Sequence, residues 1–180
     1  MFAMQKSSYP FLAKLLVAYE GISRGKILID GINGHTIGKF WGRSQIEELI
    51  NGFKSGLPVY LFHDSPRRKV GEVVNSWAEE FDNRLNALIL AHISDSEVCD
   101  LIRRKKLDTC SLEAELVFKR IGDVLLVDKV EEVSGIALGS RDLASPGFSD
   151  ARVVAFWELG KPHQKRTWFQ RIGLPSFCRI

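Results

Sequence analysis

Between Cys110 and Phe118 every second residue is small or apolar (Cys110, Leu112, Ala114, Leu116, Phe118), and the residues between them are polar or charged up to Val117. A period of two marks a strand with one face buried and the other in water. Similar strand signals recur along most of the chain. Residues 11–19 and 25–30 read as strands split by a Gly/Ser turn, and 30–38 (DGINGHTIG) as a glycine- and asparagine-rich loop. Residues 58–62 (PVYLF) form an apolar run with His63 at its end, and 70–93 reads as a hairpin around EEFDNR. Two further strands flank the turn at Gly122–Asp123, a loop spans 140–148, and 151–159 (ARVVAFWEL) is the last strand-like run.

Only two stretches carry a helical period. In 42–58, Ile46, Leu49, Ile50 and Phe53 make an apolar stripe behind a capping box of Ser44 and Glu47, and Gly56 with Pro58 ends it. In the second, Ser94 and Glu97 form the box and Val98, Leu101 and Ile102 the stripe. The cations Arg103–Lys106 close it where the helix dipole favours positive charge. Seven or eight strands with two short helices, no internal repeat and no β-α-β alternation predict a mainly β or α+β fold. The expected form is a small antiparallel sheet or barrel with helices packed outside.

A length of 180 residues, 45% hydrophobic and 26% charged, is enough for one substantial core and little more. One domain is expected over 1–160, followed by a tail over 161–180. No run approaches the roughly 20 apolar residues of a membrane helix, and PFLAKLLVAYEG is interrupted by Lys14, so a soluble, unsecreted chain is expected. Cys99, Cys110 and Cys178 are too scattered for a disulfide framework or a zinc site, and they read as reduced thiols with no metal expected. The net charge of +3 is concentrated in the tail, which holds Lys161, Lys165, Arg166, Arg171 and Arg179 and no acid. The other 20 of the 25 basic residues face 22 acidic ones, so the body does not advertise nucleic-acid binding.

Walker, dinucleotide-binding, Gly-x-Ser-x-Gly and His-Glu-x-x-His signatures are all absent. What remains is serine chemistry, which needs a base beside the hydroxyl and a third group to orient that base. Ser111 opens the polar face of its strand, and His63 ends a strand that is otherwise apolar. His35 and His163 lie in loop or tail, and His92 (LILAHIS) reads as a core or edge residue. Cys110 falls on the face opposite Ser111 and should pack inward, inert. Asp64 reads as the cap of its turn, Arg103–Lys106 as a solvated helix end, and Trp41, Trp77 and Trp157 as core or interface anchors.

Three segments, LPVYLFHDSPRRKVGEVVNSW, LIRRKKLDTCSLEAELVF and VEEVSGIALGSRDLASPGFSDARVVAF, resemble in order and spacing the prohead (capsid maturation) serine proteases of tailed phages. The resemblance spans about residues 11–155. It departs at Lys106, where a glycine often precedes the leucine, and at CSLEAEL, where a less acidic run is usual. It implies a fold like that of the herpesvirus assemblins, a small antiparallel barrel wrapped by helices, and an endopeptidase without metal or cofactor.

Carried over, Ser111 is the nucleophile, His63 the base, and Glu132 the acid, on a face shared with Asp128, Ser134 and Ile136. Gly139, Ser140 and Arg141 become oxyanion candidates. The implied partners are scaffold and major capsid protein, with self-association and self-cleavage, inside the procapsid in the host cytoplasm. The rival expectation is an inactive capsid-assembly module of the same fold. A third is a barrel that binds nucleic acid through the basic tail.

Overall fold

The period-two segments do become strands. The computed structural model describes residues 11–29, 32–63, 66–122 and 124–159; the tail, with Cys178 and His163, and Asp64 lie outside them. In order the elements are β1 (Phe11–Tyr19), β2 (Gly21–Ile29), β3 (Ile32–Trp41), α1 (Arg43–Gly52), β4 (Pro58–Leu61), β5 (Arg68–Phe81) and β6 (Arg84–Ile93). There follow α2 (Ser96–Arg103), β7 (Thr109–Ile121), β8 (Val124–Gly139) and β9 (Arg152–Glu158). The β5–β6 hairpin turns on Asp82 and Asn83, both left-handed (φ 54° and 56°), the backbone that a two-residue hairpin requires and that Asp and Asn tolerate.

The strands form one sheet in the order β2-β3-β8-β4-β5-β6-β1-β9, with β7 paired to β8. Most pairs are antiparallel, as expected, but β8 pairs in parallel with both β3 and β4. The long β8 makes this possible. Its first residues, Leu125 and Leu126, pair with β3, and its last, Ile136 to Leu138, pair with β4. The sheet curls into a half-barrel. Its curvature brings the entry to β7 back against the far strands: the Asp108 carbonyl accepts from the Val153 amide at 2.9 Å, and the Cys110 thiol donates to the Leu16 carbonyl at 3.1 Å.

The interior holds Leu15, Val17, Ile89, Ile93, Ile136 and Leu138, all fully buried, and α1 adds Ile46 and Leu49. Among the described residues no helix is long and apolar enough to cross a membrane.

Three local expectations are corrected. The loop expected over 30–38 is, from residue 32 on, part of strand β3, because β2 supplies ladder partners that outweigh the weak strand preference of Gly and Asn. Helix α1 starts from Gly42 without a side-chain cap, and the Ser44 hydroxyl donates to Gln45 instead. Helix α2 is capped one residue later than expected. Asp95 accepts from the Glu97 and Val98 amides at 3.1 and 3.2 Å, while the Ser94 hydroxyl donates to the Val70 carbonyl.

Candidate active site

Strand β8 carries the site between its two neighbours. On one edge Tyr60 of β4 pairs with Ala137, and on the other edge Ser111 of β7 pairs with the same residue. One rung thus crosses three strands, with Ser111 two strand spacings from Tyr60, about 9–10 Å. The Phe62 amide extends the ladder by donating to the Leu138 carbonyl at 2.9 Å. Phe62 itself is left-handed (φ 58°), a conformation costing a bulky residue about 1–2 kcal/mol. That kink ends β4 and re-aims the next residue, His63.

His63 turns towards β7. Its Nδ1 lies 3.0 Å from Glu113 Oε1, and Arg67 donates to the other carboxylate oxygen, Oε2, at 2.6 Å. Glu113 follows Ser111 by two residues on the same strand face, about 6–7 Å along the strand. Its side chain is only 7% exposed, whereas His63 and Arg67 are about half exposed, at 52% and 51%. The guanidinium of Arg67 also lies over the Tyr60 ring, 5.3 Å from its centroid. The carboxylate is therefore desolvated but doubly paired, the condition under which a buried charge is tolerated.

With Nδ1 held by a carboxylate, Nε2 is the nitrogen left to take a proton from a hydroxyl. Ser111 and His63 line one cleft of about 1100 Å³, with no hydrogen bond between them, as is common before substrate aligns the pair.

Gly135 makes the close approach of β4 possible. It pairs with Glu113, and a Cβ there would sit 2.9 Å from the Pro58 carbonyl oxygen and 3.1 Å from the Tyr60 ring. Ser134 braces the same rung, its hydroxyl donating to the Glu113 carbonyl at 3.2 Å.

Glu132 is elsewhere. The β7–β8 ladder slips three times, at Ser134, Glu131 and Asp128, each an extra residue on β8. Those bulges break the alternation that would have placed Glu132 with Asp128, Ser134 and Ile136. Ile136 is buried in the core, and Glu132 is exposed on the outer face opposite Glu115. The carboxylate bonded to His63 is Glu113, not Glu132.

Gly139 and Ser140 line the cleft near Ser111. Arg141 does not: its amide donates to Asp108 at 3.0 Å and its guanidinium to the Ser149 and Ala151 carbonyls, so it staples the 140–151 loop to the start of β7. Cys110 is buried, and burial pushes its thiol up to about 12. His92 sits on β6 opposite Leu12 and Glu72, and residue 35 lies within β3. Among the described residues no group of three or more His, Cys, Asp or Glu is placed to hold a metal ion. Glu113 and Arg67 are the site residues that sequence reasoning passed over. The available signal was the spacing of two from Ser111, which puts a carboxylate on the hydroxyl's own face.

Compared with protein-family models, curated proteins and solved structures, the chain matches none.

Proposed function

We propose that this chain is a serine endopeptidase that uses Ser111, His63 and Glu113, of the type its sequence resembles, the prohead proteases of tailed phages. The observation that carries the reading is the His63–Glu113 hydrogen bond, made by a carboxylate one face-repeat from Ser111, with Ser111 and His63 lining one cleft. In this scheme Ser111 Oγ attacks a peptide carbonyl while His63 Nε2 takes its proton. Glu113 holds the imidazole in the right tautomer and stabilises the imidazolium. The tetrahedral intermediate collapses as His63 returns the proton to the leaving amine, giving an acyl-enzyme. Water, deprotonated by His63, then releases the acid. Backbone amides near Gly139 and Ser140 are the candidates for the oxyanion donors. Arg67 acts through Glu113 and is a positioning residue.

The resemblance supplies the biological substrates: scaffold and the major capsid protein within the procapsid, followed by the protease itself. The competing reading is an assembly module of the same fold that binds such partners without cleaving them. A fluorophosphonate probe separates the two. The wild-type chain is expected to be labelled at Ser111, and Ser111→Ala and His63→Ala to be silent. Failure of the folded wild-type protein to label at millimolar probe would leave the module.

A further inference from the structure

Among the described residues strand β7 has a ladder on one side only, and just before it the Asp108 carbonyl accepts from the Val153 amide of β9. That ladder is with β8, and residues of both parities along β7, Ser111 on the outer face and Leu112, Ala114 and Leu116 on the inner, line the cleft. The cleft therefore follows β7 from Ser111 to Leu116, beside the edge that β8 leaves unpaired. That edge is the kind of unpaired backbone to which an extended peptide adds as a further strand.

Across β8 from β7, on β3 and β2, the cleft is cationic. Lys39 and Arg24 line the cleft, and no carboxylate pairs with either among the described residues. Lys39 Nζ lies 5.8 Å from the centroid of the Phe118 ring, and burial pushes its ammonium below the ordinary lysine value with no acidic neighbour to offset the effect. An ammonium desolvated without an anion is costly, and a ligand carboxylate removes that cost. The basic tail of this chain has the wrong charge to be the occupant.

We propose that the cleft binds an extended peptide as a strand along the free edge of β7, and that Lys39 selects an acidic side chain in it. This rests on the peptidase reading above for what happens at Ser111. Phe118 is seven residues from Ser111, about 23 Å at about 3.3 Å per residue, and the lysine stem reaches back from there. The preferred acid therefore falls about five to seven residues from the scissile bond, on the peptide face turned towards Leu116 and Phe118.

The test uses the full chain as Ser111→Ala, which holds peptide without turnover. The probes are fluorescein-labelled peptide pools of about twelve residues, randomised except for one fixed Glu, Gln or Lys moved along the sequence. Anisotropy is expected to show about tenfold tighter binding for Glu than for Gln at one position, and weaker binding for Lys. Lys39→Gln should erase that preference and leave the Gln pools unchanged, and Lys39→Arg should restore it. N-methylation of successive peptide amides should weaken binding with a period of two.

Absence of binding by every pool, a Glu preference that survives Lys39→Gln, or N-methyl effects without that period would each overturn the proposal. If the pools bind as expected while the fluorophosphonate leaves wild-type Ser111 unlabelled, the groove stands and the peptidase reading falls.

Discussion

Glu113 lies in a nearly dry position where Arg67 and His63, the imidazole that the chemistry needs, meet its two oxygens. Its neighbour Cys110 is buried as well. Burial lifts that thiol to about 12 and the Cys99 thiol to about 11, far from the thiolate range at neutral pH. Iodoacetamide at pH 7.5 is therefore expected to leave Cys99 and Cys110 unmodified in the native protein and to alkylate both in denaturant, as read by peptide mapping. Rapid native alkylation of Cys110 would contradict its place in the core. Cys110 was legible in the sequence because alternation from Ser111 is unbroken along β7. The same counting fails on β8, where three bulges shift the face of every residue before them, so Glu132 could not be assigned to a face by parity. Glu113 was in plain view within SLEAEL, but its significance depends on where the residue after Phe62 turns, which no local pattern states.

At the scale of elements, β4 matters most because it is short and carries His63. Its distance from β7 is set by Gly135, so Gly135→Ala is expected to push β4 outward, lowering stability by about 1–3 kcal/mol and slowing fluorophosphonate labelling of Ser111. Urea unfolding and labelling rate report the two effects, and no change in either would show that β4 does not depend on this glycine. Helix α2 offers a simpler case. Asp95→Ala removes the acceptor for two helix amides and should cost about 1 kcal/mol with labelling unaffected. Strands β1, β5, β6, β7 and β8 and both helices follow from hydrophobic period and turn residues. Strand β3 does not, since the composition of its first residues reads as loop and pairing to β2 makes them a strand. The parallel pairings of β8 are likewise long-range facts with no local signature.

Across the whole molecule, the curl of the sheet returns the start of β7 to β1 and β9, and the 140–151 loop is held there by ion pairs. Arg84 hydrogen-bonds Asp150 and holds its carboxyl below the usual range. At Asp95 burial pushes upward but is outweighed by the Val98 amide and Arg68, so the net direction is also down. Groups whose folded values are depressed stabilise the fold above the unfolded carboxylate range, and that stability is lost as pH falls through the folded values. The urea midpoint is therefore expected to hold from about pH 7 to about pH 5 and to fall below about pH 4, with a shallower fall in Asp150→Asn. An acid limb unchanged by that substitution would remove Asp150 from the account. Among the described residues the same curl leaves β7 beyond Ser111 with β8 as its only ladder partner, so the cleft and the relay belong to one architecture. The relay is tested most directly by the rate at which a fluorophosphonate labels Ser111 in Glu113→Gln and in Glu132→Gln. Glu113→Gln is expected to lose about 10³–10⁴-fold and Glu132→Gln to stay within about threefold of wild type. The reverse pattern would contradict the relay.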